Sequence, residues 1–342
     1  MSEATVPGPG VTFPVPVIID TDGGVDDAAA LWWAVTDPRL DVVAVTVVWG
    51  NVPIEVAAVS VARVLAAAGR SDIPVALGTG EPVGPAPDLR PATFIHGHDG
   101  LGDTTAGWPA PDNPPVGESA TDLLARVCAE RPDEISVVTL GPLSNLGLVL
   151  RDIPSFAATV RELVVMGGSV RHGGNALPNG EANVAHDPEA AAAVVGAPWA
   201  RPPLLVGLDV TMVATLTPDH FTLLAEHRTP AAAFLDAPLR FYREFGGRAV
   251  VPECPCHDLL AVLALADPSV IVDAPVLPLA VDTAGGPSWG ATVVDFRVEA
   301  ADEAHPGFHP WRVALVADVD RFRSYVTALF GGQALRPTES GA

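Results

Sequence analysis

Residues 17–31 read VIIDTDGGVDDAAAL, an apolar run that ends in four aspartates within eight residues. The apolar run predicts a buried strand that closes at Asp20, and the two glycines that follow allow a tight turn. Asp26 and Asp27 then open a predicted helix that continues to Val35. This strand, turn and helix together place all four carboxylates at one end of the strand.

The crowding of these carboxylates calls for compensation. Like charges about 4 to 6 Å apart repel by roughly 1 to 4 kcal/mol per pair at the effective dielectric of a protein surface. A hard cation is the simplest compensation, and calcium and magnesium both take oxygen ligands. Capping of the helix by Asp26 and Asp27 is the alternative explanation, although it leaves Asp22 without a role.

Short apolar runs alternate with helical segments along the rest of the chain. Strands are predicted at residues 40–48, 73–77, 135–139, 163–166, 292–298 and 313–317. Helices are predicted at residues 53–68, 259–266 and 320–330, and two more begin after Ser119 and after Pro142. This alternation predicts an α/β fold whose open, mainly parallel (mixed) sheet is covered by helices on both faces.

Groups suited to binding follow four of the predicted strands. Asp22, Asn51, Leu140 and Met166 each lie at or just beyond the carboxyl end of a strand. Ligands bind beyond these ends in open α/β sheets. The sequence therefore predicts one site at this edge of the sheet.

The bulk composition bounds the class of protein. A chain of 342 residues, 49% of them hydrophobic, suffices for one large α/β domain, predicted at residues 14–331 between disordered ends at 1–13 and 332–342. Its 41 acidic residues against 19 basic ones give a net charge of −22, which argues against partners such as nucleic acid or an anionic membrane. Three cysteines form no disulfide framework, and the sequence shows no signal peptide and no long apolar span, so a cytoplasmic location is predicted.

Two long connections are predicted to act as lids over the site. The first, residues 80–116, carries His96 beside a glycine, and a mobile solvated loop is an equally good interpretation. The second, residues 229–256, contains Tyr242 and a glycine pair, although its aromatic residues also suit a helix face packed on the core. Both therefore offer groups that can reach a substrate.

A third, glycine-rich loop at residues 173–183 carries Asn175, Glu181 and Asn183. Amides and a carboxylate suit sugar hydroxyls, which need paired donors and acceptors. A turn-rich connection explains the composition nearly as well. Asp187, followed by proline, is best explained as the cap of the next helix.

His257 and Asp258 stand where a loop enters the apolar helix predicted at 259–266. Asp258 suits a simple helix cap, and it suits equally a distant carboxylate that completes a calcium shell. His257 beside it is expected to face the same cavity.

Residues 20–27 resemble, at every aspartate, the DxDxGxDD signature of the calcium-dependent nucleoside hydrolases. The resemblance to the inosine-uridine type runs from Val17 to about Phe330 and includes further motifs in the same order. These are VVWGN at 47–51, His96-Gly97, LGPLSN at 140–145, VMGG at 165–168, Asn175, Glu181, Asn183 and His257-Asp258. The chain departs twice, with Gly23 in place of proline and Ala182 in place of an aromatic residue, and the second change could loosen the sugar pocket.

The resemblance implies hydrolysis of the N-glycosidic bond of ribonucleosides to free base and ribose, with Ca²⁺ as cofactor. It implies that calcium is held by Asp22, Asp27, the backbone carbonyl of Leu140 and Asp258. It implies that substrate is contacted by Asp26, Asn51, His96, Met166, Asn175, Glu181 and Asn183. A homodimer or homotetramer is implied in the same way.

The same resemblance implies the roles in the reaction. Asp22 would accept the proton of the attacking water, and His257 would protonate or hydrogen-bond the leaving base. His96 and Tyr242 compete with His257 for that second role. The preferred base stays open, because base contacts would come from the variable loops.

Two other functions also stay open. A metal-dependent phosphatase of the haloacid dehalogenase type would share the aspartate turn, but it calls for a downstream lysine and this chain has none. A non-catalytic calcium- or nucleoside-binding protein would retain ligand affinity without turnover. The presence of every expected catalytic residue argues against that second alternative.

Overall fold

The computed structural model describes residues 14–108, 110–246, 253–297 and 306–332. The predicted disordered N-terminus, and the predicted tail beyond Gly332, lie outside the described residues. The strands are β1 (Val15–Thr21), β2 (Leu40–Val47), β3 (Val75–Leu77), β4 (Ser136–Thr139), β5 (Glu162–Met166), β6 (Leu204–Val206), β7 (Thr215–Leu216), β8 (Cys254–Pro255), β9 (Ile271–Asp273), β10 (Val276–Val281), β11 (Thr292–Val294), β12 (His309–Val313) and β13 (Val316–Ala317). The helices are α1 (Val25–Thr36), α2 (Ile54–Ala67), α3 (Thr93–His96), α4 (Ala120–Glu130), α5 (Ser144–Asp152), α6 (Ala182–His186), α7 (Pro188–Gly196), α8 (Leu208–Thr211), α9 (Pro218–Ala225), α10 (Pro230–Gly246), α11 (His257–Ala266) and α12 (Val319–Gly331).

Nine strands form one sheet in the order β11-β10-β12-β6-β5-β4-β1-β2-β3. From β12 to β3 every neighbouring pair is parallel, whereas β10 runs antiparallel to both β11 and β12. Alternate residues of β1 face opposite sides, because Val17 and Ile19 join one hydrophobic core and Ile18 joins a second. The predicted mainly parallel, mixed sheet covered on both faces is confirmed.

The register of β1 brings the predicted site residues to one edge. Asp20 lies opposite Thr46 of β2 and Thr139 of β4, so the ends of these three strands are level. The turn after β1 uses Gly23 at a φ of 72°, where a Cβ would lie 2.7 Å from the backbone of Ala57. Proline, whose φ is fixed near −65°, cannot adopt this conformation. The local backbone therefore explains why Gly23 stands where the family signature usually has proline.

The predicted lid at residues 229–256 is wrong over most of its length. Residues 230–246 form α10, a 17-residue helix that begins at Pro230 and contains Pro238. Tyr242 is buried on this helix, as the alternative helix-face interpretation expected. Residues 247–252 lie outside the described part of the chain.

The strands predicted in the C-terminal part also differ. Among the described residues of the predicted strand at 292–298, 292–294 form β11 and 295–297 are irregular. The predicted strand at 313–317 divides between β12 of the main sheet and β13, which pairs with β9. Sequence reasoning missed β10 and most of β12, which contain Pro278 and Pro310 directly opposite each other. A proline normally argues against predicting a strand, because it donates no backbone hydrogen bond to a neighbouring strand.

The C-terminal end of α1 is tied to α12 by a polar network. The Tyr325 hydroxyl donates to Asp267 Oδ2 and accepts from Arg39, both at 2.5 Å. The Arg39 guanidinium lies over the Trp33 ring at 5.1 Å and over the Tyr325 ring at 4.8 Å. Tyr325 therefore links two charged groups that are largely removed from water.

Tyr325→Phe is expected to lower the free energy of unfolding by about 2 kcal/mol, because it deletes two hydrogen bonds to charged groups. Burial raises the pKa of Asp267, but hydrogen bonds from Ser269, Tyr325 and Arg321 outweigh it and leave that pKa below its ordinary value. Stabilisation by a carboxylate of depressed pKa is present above the unfolded value of about 3.9 and is lost as pH falls through the folded value.

Urea denaturation of both proteins at about pH 7 and about pH 3 checks this prediction. The difference in unfolding free energy should shrink as the pH falls through the folded pKa of Asp267, which lies below its ordinary value. Equal stability of the two proteins at neutral pH would contradict it.

Candidate active site

Three buried carboxylates meet where α1 and α11 begin. One oxygen from each of Asp26, Asp27 and Asp258 lies within 4.8 Å of the others. All three residues are at most 4% exposed. The first turn of α1 and the first turn of α11 thus bring together Asp27 and Asp258, two of the metal ligands that the resemblance implied, with Asp26, which it assigned to the ribose.

The cluster is electrostatically strained. Burial, followed by the charge of Asp27, raises the pKa of Asp26 to about 7. Burial and the neighbouring carboxylates also raise the pKa of Asp22 and of Asp258 well above the ordinary value. A hard divalent cation would relieve both causes, because it supplies positive charge to buried oxygen donors. The donor set therefore fits such an ion.

Asn51 holds Asp22 at the edge of this cluster. Its backbone N–H donates to Asp22 Oδ2 and its side-chain amide donates to Asp22 Oδ1, both at 2.8 Å. The same amide reaches Asp27 Oδ2 at 3.2 Å. Gly50 permits the approach, since a Cβ there would lie 2.1 Å from Asp22 Oδ2. Asn51 was predicted to contact substrate. In the structure its N–H groups donate to the carboxylates of Asp22 and Asp27.

The remaining aspartates of the first motif have structural contacts as well. Asp27 Oδ2 accepts the Gly24 N–H at 2.9 Å, so the helix-capping interpretation applies to Asp27 in addition to its place in the cluster. Asp20 accepts from Thr46 at 2.6 Å and from Asn145 at 2.8 Å, inside the sheet. Burial raises the pKa of Asp20 to about 7.

Asn183 joins two of the predicted strand ends. Its amide nitrogen donates to the carbonyl of Leu140 at 2.8 Å and to the carbonyl of Met166 at 3.1 Å. A carbonyl oxygen has two lone pairs, so each can accept the Asn183 bond and still bind a second partner. The structure therefore brings Leu140, Met166 and Asn183 together, as the sequence predicted.

Glu181 anchors this region through its carboxylate. Its oxygens accept the backbone N–H groups of Gly168, Asn183 and Val184 at 2.8 to 3.2 Å, and it is the N-cap of α6. Asn175, which is exposed, accepts the Ala182 N–H at 2.9 Å and closes the loop. Glu181 thus fixes the backbone around Asn183.

His96 is buried against the N-terminus of α1, although it lies in the long connection that suited a mobile solvated loop equally well. Its Nδ1 accepts the Val25 N–H at 3.1 Å, so that nitrogen carries no proton and the 3.8 Å approach to Asp26 is not an ion pair. Burial, with a smaller contribution from His257, lowers its pKa to about 3. The Tyr242 ring lies 5.4 Å away, and its hydroxyl donates to Asp26 at 3.4 Å.

His257 is half-buried at the start of α11. Its Nδ1 lies 2.8 Å from the Thr211 hydroxyl, and burial together with the nearby His172 lowers its pKa to about 4. No motif in the sequence points to Thr211, because its contact with His257 depends on two segments that are distant in the chain. Thr211 and His172 come from segments that no predicted element covered.

One cavity lies elsewhere. A cavity of about 1510 Å³ at the C-terminal end of α1 is lined by residues that include Trp33, Arg39 and Tyr325. None of the predicted site residues lines it, so the chemistry is assigned to the acidic cluster instead.

A model of the inosine-uridine preferring nucleoside hydrolase family matches residues 17–324. The probable uridine nucleosidase 2 of Oryza sativa subsp. japonica is 35% identical over 317 residues, 92% of this chain and 92% of that relative. The non-specific ribonucleoside hydrolase RihC of Salmonella newport is 36% identical over 323 residues, 94% of this chain and 99% of that relative. The solved structure of the plant nucleoside hydrolase PpNRh1 matches with a TM-score of 0.86 at 33% identity, covering 93% of this chain and 99% of that one.

The fold and the acidic site define an enzyme that acts on N-glycosyl compounds. The chain belongs to the inosine-uridine preferring nucleoside hydrolase family. Of the three functions left open by the sequence, hydrolysis of the ribonucleoside N-glycosidic bond is therefore supported. Along the described part of the chain, no helix has the length and apolar character needed to span a membrane.

Proposed function

We propose that the protein hydrolyses ribonucleosides to free base and ribose in a calcium-dependent reaction. The observation that carries the proposal is the buried cluster of Asp26, Asp27 and Asp258, with oxygens within 4.8 Å and Asp22 clamped beside it. Buried carboxylates this close together repel one another, and such a set of oxygen donors suits a hard cation.

Asp22, Asp27, Asp258 and the Leu140 carbonyl would hold the calcium ion. When bound, calcium would position and acidify a water molecule and bind sugar hydroxyls. Asp26, which lies in the same cluster, would accept a hydrogen bond from the ribose. This assignment keeps the ligands that the resemblance implied.

The side chains of the chain itself supply the remaining steps. Asp22 accepts the proton of the attacking water, and its two bonds from Asn51 fix the direction of its oxygens. The transition state of glycosidic cleavage resembles an oxocarbenium ion, whose positive charge the buried carboxylates stabilise. Asn183, Glu181, Met166 and Asn175 line the ribose, and His257 assists the departing base.

The sugar pocket leads to a prediction. Asn183 and Glu181 are 7% and 2% exposed and already bonded to the backbone, so their remaining bonding capacity is preorganised. A site built to bond a hydroxyl leaves buried polar groups unpaired when that hydroxyl is missing. We expect kcat/KM for 2′-deoxyuridine to be at least about 10²-fold below that for uridine.

Steady-state kinetics on the two nucleosides check this expectation, with 5-methyluridine as a control that alters only the base. Comparable kcat/KM for uridine and 2′-deoxyuridine would show that these polar groups do not read the 2′-hydroxyl.

The proposed function itself is tested by product analysis. The protein is incubated with calcium and inosine, uridine, cytidine or adenosine, and free base and reducing sugar are quantified. Because one relative is named as a uridine nucleosidase and another as non-specific, uridine is expected among the substrates. Equimolar base and ribose support the proposal, and release of neither from any of the four would overturn it.

Three further proposals accompany this function. We place the enzyme in the cytoplasm, in the salvage of purines and pyrimidines, and as a homodimer or homotetramer. Residues 14–331 are proposed to act as one domain, because a single nine-stranded sheet carries the whole site.

A further inference from the structure

The short helix α8 packs against α11, whose first residue is His257. Thr211, its last residue, is fully buried, and its hydroxyl lies 2.8 Å from Nδ1 of His257. The Thr211 hydroxyl can donate or accept a hydrogen bond, whereas a neutral imidazole has one N–H and one acceptor nitrogen. The direction of this one bond therefore decides which ring nitrogen of His257 carries the proton.

The surroundings hold Thr211 in a fixed position. The Thr211 N–H donates to the Gly207 carbonyl at 3.0 Å, and the Leu208 N–H donates to the Gly168 carbonyl at 2.9 Å, which anchors α8 to the segment after β5. The chain after α8 then pairs with the segment before His257, since the Cys256 N–H donates to the Ala214 carbonyl at 3.0 Å. Both partners of the bond are thus placed by backbone contacts.

Asp209, a second residue of α8, fixes the segment that contains His172. The Asp209 carboxylate accepts three successive backbone N–H groups, those of Val170, Arg171 and His172, at 2.7 to 3.1 Å. His172 is close enough to His257 to influence it electrostatically. One turn of helix therefore fixes both the ring of His257 and the neighbouring segment.

We propose that Thr211 is a positioning residue that donates its hydroxyl proton to Nδ1 of His257 and so keeps the ring proton on Nε2. The Nε2–H group can then donate a hydrogen bond to the departing base, whose ring nitrogens and carbonyl oxygens are acceptors. If His257 Nδ1–H instead donated to the Thr211 hydroxyl, Nε2 would be an acceptor and could not donate a hydrogen bond to the leaving base. This inference rests on the proposed function and adds the residue that sets the tautomer of His257.

The test compares Thr211→Val, which removes the hydroxyl at nearly constant shape, with Thr211→Ser, which keeps it. On uridine, Thr211→Val should lower kcat about 10-fold with little change in KM, because the lost bond acts in the transition state. On p-nitrophenyl riboside, whose leaving group departs without a proton, both variants should stay within about twofold of the parent enzyme. Thr211→Ala removes the same hydroxyl and serves if the valine variant fails to fold.

A double-mutant cycle completes the test. In a His257→Ala background, Thr211→Val should cause no further loss, because the hydroxyl has no ring left to orient. Equal losses on both substrates, losses that add to those of His257→Ala, or full activity of Thr211→Val on uridine would each overturn the inference. Failure of the proposed function is distinguishable, since the parent enzyme would then release no base from uridine.

Discussion

Asp22→Asn is expected to lower kcat on uridine by at least about 10²-fold, and by up to about 10⁴-fold. The loss of a general base alone is typically worth that range, and the substitution also removes one proposed calcium ligand charge. The geometry adds to the effect. Both oxygens of Asp22 accept from Asn51, so the amide nitrogen of an asparagine at this position would face a donor.

Steady-state kinetics on uridine at saturating calcium measure this loss. Asp41→Asn is the matched control, because Asp41 is exposed at the start of β2, at the opposite end of the sheet from the site. The control should keep the turnover of the parent enzyme. Turnover of Asp22→Asn close to that of the control would show that Asp22 neither accepts the proton nor holds the ion.

His257→Ala is expected to slow uridine hydrolysis by about 10²- to 10⁴-fold while p-nitrophenyl riboside is cleaved almost as before. A pyrimidine or purine leaves poorly as an anion, whereas a nitrophenolate needs no proton. Burial, together with His172, lowers the pKa of His257 to about 4, so the ring is neutral at neutral pH. Of the two roles open to His257, the structure therefore favours hydrogen-bonding of the base.

The competing assignments predict other results. His96 uses Nδ1 to accept from Val25, which leaves its Nε2 for another partner, and the Tyr242 hydroxyl donates to Asp26. Absence of any loss in His257→Ala would move the role to His96 or Tyr242. Equal losses on the two substrates would instead identify His257 as a packing residue of α11.

The fold was predictable where local pattern and tertiary structure agree. The apolar run before Asp20 becomes β1, an interior strand of the sheet, and the acidic turn leads into the N-terminus of α1. Asp187 caps α7 through a bond from the Ala190 N–H at 3.1 Å, as its place before proline predicted. These features depend on contacts within a few residues, which a single sequence displays.

Features that depend on distant packing were less accessible. The Gly246-Gly247 pair favoured a lid at 229–256, but contacts with the core stabilise α10 over residues 230–246. In the site, resemblance assigned Asp26 to the ribose, whereas the structure places its oxygen among those of Asp27 and Asp258. Thr211 had no signal at all, because its partner lies 46 residues along the chain.

The dependence of uridine hydrolysis on calcium is the decisive measurement for the proposed metal site. The protein is stripped of divalent ions by exhaustive chelation, and ribose release from uridine is followed as Ca²⁺ is added back. The buried carboxylates of Asp22, Asp27 and Asp258 predict that activity is lost on chelation and returns with a saturable dependence on calcium. Full hydrolysis by the ion-free protein would contradict the account.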